Sequence, residues 1–244
     1  MEFVVAAIIL FCIVFLAVRF TKVSVTDSEQ LAGIRRLPAS QLRFSLATIC
    51  DRLPPLGETA GSVSEGDYLL HEDDWRQVEF VPDRDREYFV VQVDKVHQFK
   101  ADNWDGFCWK NLFVRPDNPT ELALLGIKLN DLARALPGAS IRNVGVYSSF
   151  ADPSPVSSSR CVLDGFSIRL TPKTVIYGHH TTGVVTTLAI DAEVENESEV
   201  IAVASALTSI GQHYPLLLVD WNIDRIITLT ESTEVDKWIR RNDD

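Results

Sequence analysis

A single long apolar run near the N-terminus constrains this sequence more than any other feature. From Phe3 to Phe20 the run is broken only by Arg19, and polar residues interrupt every later run within a few positions. The strictly apolar part, Phe3 to Val18, is short for a hydrocarbon core of about 30 Å. Phe20 lengthens it, however, and the Arg19 and Lys22 side chains can reach the headgroups. The run therefore predicts a transmembrane anchor over residues 1–22.

The flanks of this run predict how the anchor lies in the membrane. A cleavable signal peptide would need a basic start and small residues at a cleavage site, whereas the run follows Met1-Glu2 and continues into Lys22. Bases close to a span mark its cytoplasmic side. Five bases follow the span: Arg19, Lys22, Arg35, Arg36 and Arg43. We therefore expect an uncleaved anchor in a bacterial inner membrane, with the body of the protein in the cytoplasm.

The cysteines agree with a reducing compartment. Cys50, Cys108 and Cys161 lie outside the span, which is an odd number, and none of them belongs to a C-x-x-C motif. Disulfides persist mainly in oxidising compartments. The sequence therefore predicts free thiols.

The sequence after the anchor divides into a linker region, 23–60, and a domain, 61–244. Within the linker region Ser40 can cap a helix whose apolar stripe, Leu42, Leu46, Ile49 and Leu53, ends at Pro54-Pro55. The stretch from Gly57 to Gly66 is rich in Gly, Ser, Thr and Glu, which is typical of a boundary between domains.

The first half of the domain reads as strands followed by a helix. Alternating apolar residues predict strands at Gln77 to Val81, Glu87 to Phe99 and Phe107 to Arg115, with the last two joined as a hairpin by Lys100 to Gly106. Asn118-Pro119-Thr120-Glu121 is a strong helix start, and a leucine stripe follows it as far as Leu136. We expect that stripe to pack on a sheet rather than to form a zipper, because it lasts barely two heptads.

The second half repeats the mixture. Ile141 to Tyr147 and Val162 to Leu170 predict strands, Ala151 to Ser159 predicts a loop, and Lys173 to Tyr177 and Gly183 to Glu195 predict a hairpin. The prediction ends with four more elements. These are a helix from Asn196, a strand Leu216 to Trp221, an antiparallel strand Arg225 to Leu229 and a closing helix Thr230 to Arg241. About eight strands and three or four helices, with hairpins dominating, indicate an α+β fold with a mainly antiparallel sheet.

Charge singles out the C-terminal part. The net charge is -11, and Val184 to Asp244 contains twelve acids against four bases. In the second arm of the predicted hairpin, Asp191, Glu193 and Glu195 share one face, and Glu197 follows. Phosphates need a basic footprint, so the balance excludes nucleic acid and favours a basic protein partner. The plainer alternative is that acidity keeps the protein soluble.

An aromatic residue in a polar turn is a second candidate contact. Trp104 lies among Asp102, Asn103 and Asp105 rather than on a predicted strand face. Tryptophan in such a place is a plausible interface anchor. The alternative is a ring folded back over the hairpin.

Chemical motifs are scarce. The sequence contains no Walker loop, dinucleotide fingerprint, hydrolase elbow or zincin motif. Three looser groupings are candidates for a chemical role. His179-His180 could bind a metal, and Cys108 or Cys161 could act as a nucleophile with His97 or His213 as its base. Glu72-Asp73-Asp74 could act as acid and base or bind a cation. Each is more commonly structural or solvated, so no metal, cofactor or catalytic residue is predicted.

The C-terminal thirty residues resemble a known family. They look like the C-terminal ends of small acidic immunity proteins from bacterial polymorphic-toxin systems. The residues that carry this resemblance are the strand Leu216 to Val219, the pair Asp220-Trp221, the return strand Ile226 to Leu229 and a helix with Glu234, Trp238 and Ile239. The resemblance implies a protein that covers a toxin's active surface with acidic groups and performs no chemistry.

These observations lead to one expectation and two alternatives. We expect a membrane-anchored, non-enzymatic binding protein that neutralises a basic toxin or docks another basic protein through Asp191, Glu193, Glu195 and Glu197, together with Trp104. The alternatives are a membrane-tethered hydrolase with a non-motif active site, acting through the carboxylates or His179 and His180, and a structural subunit of a membrane assembly.

Overall fold

The computed structural model describes residues 44–57, 64–136, 140–148 and 159–241. The chain divides into two units, Met1–Leu42 and Arg43–Asp244, and every described residue belongs to the second. The predicted anchor, most of its linker and the predicted loop 151–158 lie outside the described residues. Among the helices that are described, none has the length and apolar character needed to cross a bilayer.

Twelve strands and four α-helices form the described part of the domain. The first half contains β1 Thr48–Cys50, β2 Tyr68–His71, β3 Val78–Pro82, α1 Arg86–Asn103, β4 Phe113–Arg115, α2 Leu129–Ala135, β5 Ile141–Arg142 and β6 Val144–Tyr147. The second half contains β7 Arg160–Cys161, β8 Gly165–Arg169, β9 Val175–Thr181, β10 Val184–Asp191, α3 Glu197–His213, β11 Leu216–Asp220, β12 Arg225–Thr228 and α4 Ser232–Arg240.

The main sheet has seven strands in the order β12-β11-β3-β10-β9-β8-β5. Every neighbouring pair in it is antiparallel, which confirms the predicted sheet type and the α+β class. Two smaller sheets accompany it. In one, β1 pairs with β4 in parallel, and in the other β6 lies between a parallel β2 and an antiparallel β7.

Both faces of the main sheet are covered by other elements, and the side chains of β11 contact a different set of elements on each face. Its residues Leu216 and Leu218 belong to a core cluster formed with α2, α3 and α4, whereas Leu217 and Val219 pack with the apolar side of α1. A third cluster joins Tyr177 of β9 to the smaller sheet of β2 and β6. Because successive side chains of a strand point to opposite faces, this division places helices on one face and α1 with the small sheets on the other.

Helix α1 corrects the predicted hairpin. Residues 87–99 are helical, and Phe89, Val93 and Val96 are buried while Val90 and Val91 are exposed. The buried residues are spaced by four and three, which is the helical period, and the apparent alternation through Val91 came from a residue on the solvent side. The predicted strand 107–115 is correspondingly reduced to β4, which pairs with β1 and not with residues 87–99.

The predicted helix from Ser40 to Leu53 is also wrong over its described part. After a bend at residues 45–47 the chain forms the strand Thr48–Cys50, and Ala47, Thr48 and Cys50 are the buried residues rather than the predicted stripe. The β-branched pair Thr48-Ile49 suits a strand. The parallel partner β4 provides the hydrogen bonds that a helix would otherwise supply internally.

The predicted helix from Asn118 to Leu136 is divided in two. A 3₁₀ helix spans Leu122–Leu125, Gly126 follows in the left-handed conformation at φ 65°, and α2 begins at Leu129. Between them Ile127 accepts a hydrogen bond from the Val185 amide, so the chain is tied to the edge of β10 at the break. The four leucines at positions 122, 129, 132 and 136 are nevertheless buried in the main core, which confirms the expected packing on the sheet.

The second half follows the prediction more closely. Antiparallel β9 and β10 form the expected hairpin, but its turn is Thr182-Gly183, both at positive φ, and not the stretch from Gly178. A two-residue turn with positive φ at both positions matches the twist of the flanking strands. Helix α3 is capped by Asn196 as predicted, since its side chain accepts a hydrogen bond from the Glu199 amide. Strands β11 and β12 and helix α4 also confirm the prediction.

A buried ion cluster joins the layers around Glu79 of β3. Glu79 is 3% exposed, and its Oε2 accepts hydrogen bonds from Arg76 Nε at 2.8 Å and Nη2 at 2.6 Å, while Oε1 accepts one from Trp221 Nε1 at 2.9 Å. Arg115 of β4 is equally buried and donates to the Thr48 hydroxyl at 2.9 Å and to the Arg76 carbonyl at 2.8 Å. The cluster therefore connects β1, β3, β4 and the residue after β11.

Electrostatics keep this carboxylate ionised. Burial alone would raise the pKa of Glu79, but the guanidinium groups of Arg76 and Arg115 and the hydrogen bonds from Arg76 and Trp221 outweigh it and hold that pKa below its usual range. A carboxyl whose pKa is lowered by folding stabilises the fold above the unfolded-state pKa, which is about 4.3 for glutamate. That stability is lost as the pH falls towards the folded-state pKa.

We expect Glu79→Gln to lower the free energy of unfolding at pH 7 by about 3–5 kcal/mol, because the buried guanidinium of Arg115 and the partly buried guanidinium of Arg76 lose their counter-charge. Denaturant unfolding between pH 3 and pH 7 measures this. The difference between wild type and variant should shrink below about pH 4.3, where the carboxyl of the unfolded chain takes up a proton. Glu87→Gln, on the exposed side of α1, is the matched control and should unfold like wild type. Equal midpoints for Glu79→Gln and wild type would contradict the account.

Candidate functional site

The four carboxylates predicted as a contact surface lie together at one end of β10. Asp191 is the last residue of β10, Glu193 and Glu195 lie in the connection that follows, and Glu197 is the first residue of α3. All four are exposed. We call them the acidic edge. The predicted strand was longer than the observed one. The acidic edge is therefore formed by the end of a strand and the loop after it, rather than by one face of a strand.

A shallow cavity lies beside the acidic edge. Its volume is about 500 Å³, and Glu193, Glu195 and Glu197 line it together with Val200 and Ile239. Arg240 and Arg241 of the C-terminal segment complete the lining. Three carboxylates of the acidic edge thus line a partly apolar cavity, an arrangement that can accept a basic side chain with a long aliphatic stem.

Basic residues of the same chain contact most of these carboxylates. Lys173 Nζ lies 2.6 Å from Glu193 Oε1 and 2.8 Å from Glu195 Oε1, and Arg240 forms a bidentate pair with Glu197 at 2.5 and 2.8 Å. The hydrogen bonds with Glu193 and Glu195 raise the pKa of Lys173, and the one from Arg240 lowers the pKa of Glu197. No sequence signal pointed to Lys173 or Arg240, because each is remote in sequence from the carboxylate it contacts.

The remaining carboxylate serves the fold. Asp191 Oδ2 accepts a hydrogen bond from the Tyr68 hydroxyl at 2.5 Å, which ties the end of β10 to β2. The edge still carries an excess of acid, since five acidic residues lie between 191 and 199 and the two bases that contact this stretch are Lys173 and Arg240. Exposed ion pairs contribute little to stability. A basic partner can therefore replace these internal bases at little cost.

Trp104 does not belong to this surface. It follows the last residue of α1, its ring lies against Trp109 with 4.7 Å between centroids, and it is 45% exposed. The ring packs on a neighbour and still meets solvent, so its role as an interface anchor stays a prediction. The alternative of a ring folded back over the hairpin is wrong, because residues 87–99 are helical and form no hairpin. It is absent from the lining of the acidic cavity.

The residues behind the immunity-protein resemblance have structural partners. Asp220 is fully buried, and its Oδ2 accepts hydrogen bonds from Trp238 Nε1 and Arg241 Nη1, both at 2.8 Å. Trp221 donates to Glu79 in the buried ion cluster. Asp220 therefore fixes α4 on the end of β11, and Trp221 joins the residue after β11 to β3.

Within the described ranges, His97 and His213 contact oxygen atoms rather than a cysteine thiol. His97 contacts Asp224 at 3.2 Å, and His213 contacts the Ser209 carbonyl at 2.8 Å. Glu72–Asp74 form a 3₁₀ helix capped by His71. Across the described ranges no group of three or more His, Cys, Asp or Glu residues has the arrangement needed to hold a metal ion.

A polar cleft next to the buried ion cluster was not predicted. Its volume is about 540 Å³, and Arg76, Glu79, Asn118, His179 and Thr186 contribute polar groups to its lining. Arg76 has φ 61°, which is strained for any residue other than glycine. The only signal in the sequence was a glutamate at the centre of an otherwise apolar strand, because the other groups come from distant parts of the chain.

A β-bulge fixes the histidine of this cleft. The register of β9 and β10 shifts between Val185 and Thr187, so Thr186 is the extra residue. A Cβ at Gly178 would overlap the carbonyl oxygen of Thr187, which explains why a glycine lies opposite the bulge. The Thr186 hydroxyl contacts His179 Nδ1 at 2.7 Å and donates to the His179 carbonyl at 3.1 Å. When the hydroxyl donates its single proton to the carbonyl, it accepts from Nδ1–H, which leaves Nε2 as an acceptor in the neutral ring.

Comparison with known proteins adds no relative, since no family model, no curated protein and no solved structure matches the chain. The class of protein is therefore defined by the fold and the site alone. It is an α+β domain with a mainly antiparallel sheet, an exposed acidic edge and a separate polar cleft.

The geometry predicts different tautomers for two adjacent histidines. Burial lowers the pKa of His179, so its ring should be neutral at pH 7 and carry its proton on Nδ1. The neutral ring of His180 should carry its proton on Nε2, because its Nδ1 accepts from the Gly183 amide at 3.3 Å. NMR of the ring nitrogens measures both, and Thr186→Val should remove the Nδ1 preference of His179 alone. The same tautomer at both rings would contradict the assignment.

Proposed function

We propose that this chain is a membrane-anchored, non-enzymatic binding protein whose acidic edge docks a basic protein partner. The observation that carries the proposal is the gathering of Glu193, Glu195 and Glu197 around one exposed, partly apolar cavity. An immunity protein that neutralises a basic toxin is the form of this function that the C-terminal resemblance favours.

The proposed contact has the electrostatics of fast, salt-sensitive association. An acidic surface attracts a basic partner over distances comparable to the Debye length, about 8 Å at physiological salt. It speeds encounter more than it strengthens the final complex. Exchanging Lys173 and Arg240 for bases of the partner would keep each carboxylate paired throughout docking.

The proposed location follows from the N-terminal apolar run. Residues 1–22 would anchor the chain in a bacterial inner membrane, and the bases after the span would hold the domain on the cytoplasmic side. A partner would then be met at the inner membrane surface rather than in the open cytosol.

We expect charge reversal at the acidic edge to abolish partner binding without unfolding the domain. The test variant is Glu193→Lys with Glu195→Lys, because both side chains are exposed and reversal makes them repel a basic surface. The matched control is Glu87→Lys with Asp94→Lys, which reverses two exposed acids of α1. Affinity capture by the full-length proteins from membranes of the native host is compared, with circular dichroism as the folding check.

The proposal fails if the Glu193 and Glu195 variant retains its partner as well as the control does. Turnover of a small molecule that is insensitive to this variant but lost in His179→Gln would instead favour the hydrolase alternative.

Deletion of residues 1–22 should move the protein from the membrane fraction to the soluble fraction, because it removes the predicted anchor. Full-length protein should resist extraction by alkaline carbonate. A membrane-impermeant maleimide should label the partly exposed Cys161 only after the cells are permeabilised. Labelling in intact cells would reverse the proposed orientation, and carbonate extraction of the full-length chain would refute the anchor.

A further inference from the structure

An exposed aromatic loop follows α1. Phe107 is 87% exposed and Trp104 is 45% exposed, and the Trp104 ring packs on Trp109. We call residues 104–109 the aromatic tip. Single exposed apolar residues are ordinary on protein surfaces. Two large aromatic rings presented together in one short loop are a more specific feature, since such rings lose much by remaining in water.

The aromatic tip is held by hydrogen bonds. Asp105 Oδ1 accepts from the Phe107 amide at 3.1 Å and from the Cys108 amide at 2.9 Å, and the Asp105 amide donates to the Cys108 carbonyl at 3.1 Å. Gly106, at φ 98°, supplies the left-handed conformation that closes this turn. The local backbone therefore directs the Phe107 ring into solvent, and its exposure is a built feature of the fold.

The aromatic tip lies where the chain enters the described domain. Phe44 and Trp109 exchange two backbone hydrogen bonds, each 3.1 Å long. Phe44 is also the first described residue, and residues 23–43 separate it from the predicted anchor. The described domain thus begins directly beside the exposed rings.

We propose that the aromatic tip inserts into the headgroup region of the bilayer that holds the anchor, an inference that rests on the proposed membrane location. Tryptophan is favoured at this depth, where its ring meets lipid and its N–H meets water, and phenylalanine adds apolar surface that faces the lipid. Asp105 closes the turn and Asp102 accepts from Gln98, and both carboxylates remain exposed next to the rings. Lys110 is exposed beside them and suits anionic headgroups.

A bilayer fits the aromatic tip better than a protein partner does. Stable protein interfaces bury on the order of 1,000 Å² or more, which is far more than two rings provide. A tether raises the local concentration of the bilayer, so a small apolar contact is sufficient. The tip would orient the domain at the membrane and shares no residue with the acidic edge.

The test is tryptophan fluorescence of the full-length protein in vesicles of phosphatidylethanolamine and phosphatidylglycerol, with and without bromine on the acyl chains. Three of the five tryptophans, Trp75, Trp221 and Trp238, are buried in the domain. Brominated lipid should therefore quench the tip alone. Trp104→Phe should remove most of this quenching, and Phe107→Asp should reduce it by withdrawing the tip. Leu124→Asp, a substitution at an equally exposed apolar residue elsewhere (71% exposed), is the matched control and should leave it unchanged.

The outcomes separate this inference from the proposed anchor. Protein that stays on the vesicles through a carbonate wash but shows no bromine-dependent quenching would overturn the inference and leave the anchor standing. Protein that the wash removes would overturn both. Loss of partner capture in Phe107→Asp, with quenching as in wild type, would make the tip a protein contact and would also overturn the inference.

Discussion

The fold depends on the ion cluster around Glu79. This carboxylate lies inside the central part of a seven-stranded sheet, where an unpaired charge would cost several kcal/mol, and it is stabilised by Arg76, Trp221 and the field of Arg115. Arg115 in turn holds β4 against β1 through the Thr48 hydroxyl. The guanidinium carbon of Arg115 also lies 5.0 Å from the centre of the Trp221 ring. Because these groups come from distant segments, the cluster specifies which segments meet, and it orients Arg76 towards the polar cleft.

Local signals in the sequence predicted the elements whose packing agrees with them. The Asn196 cap, the apolar β11 and the buried side of α4 were all predicted correctly. Helix caps and the repeat of apolar residues along a helix or strand depend only on residues close together in the sequence. Helix α1 was missed because Phe89, Val91 and Val93 imitate a strand, and only the contact of Phe89, Val93 and Val96 with β11 shows the true period. Strand β1 was missed because its partner β4 lies more than sixty residues away.

The candidate site was predictable in composition but not in pairing. The four carboxylates do lie together, yet Lys173 and Arg240 contact three of them, and Asp191 is bonded to Tyr68. These pairings depend on tertiary geometry, so the spacing of residues in the sequence does not predict them. The polar cleft was not predicted at all. Its His179 is positioned by a β-bulge and its Arg76 by a backbone conformation with positive φ, and neither feature is visible in the sequence. In the proposed arrangement the anchor and the aromatic tip hold the domain at the membrane and leave the acidic edge to the partner.

The most direct test of the central proposal is affinity capture with the full-length protein from membranes of its native host, washed first at low and then at high salt. We expect one basic protein to be retained at low salt and released at high salt, since charge complementarity between exposed groups is screened by ions. Retention of no protein at low salt, or of a partner that high salt does not release, would contradict an acidic docking surface and reduce the acidic edge to a solubility feature.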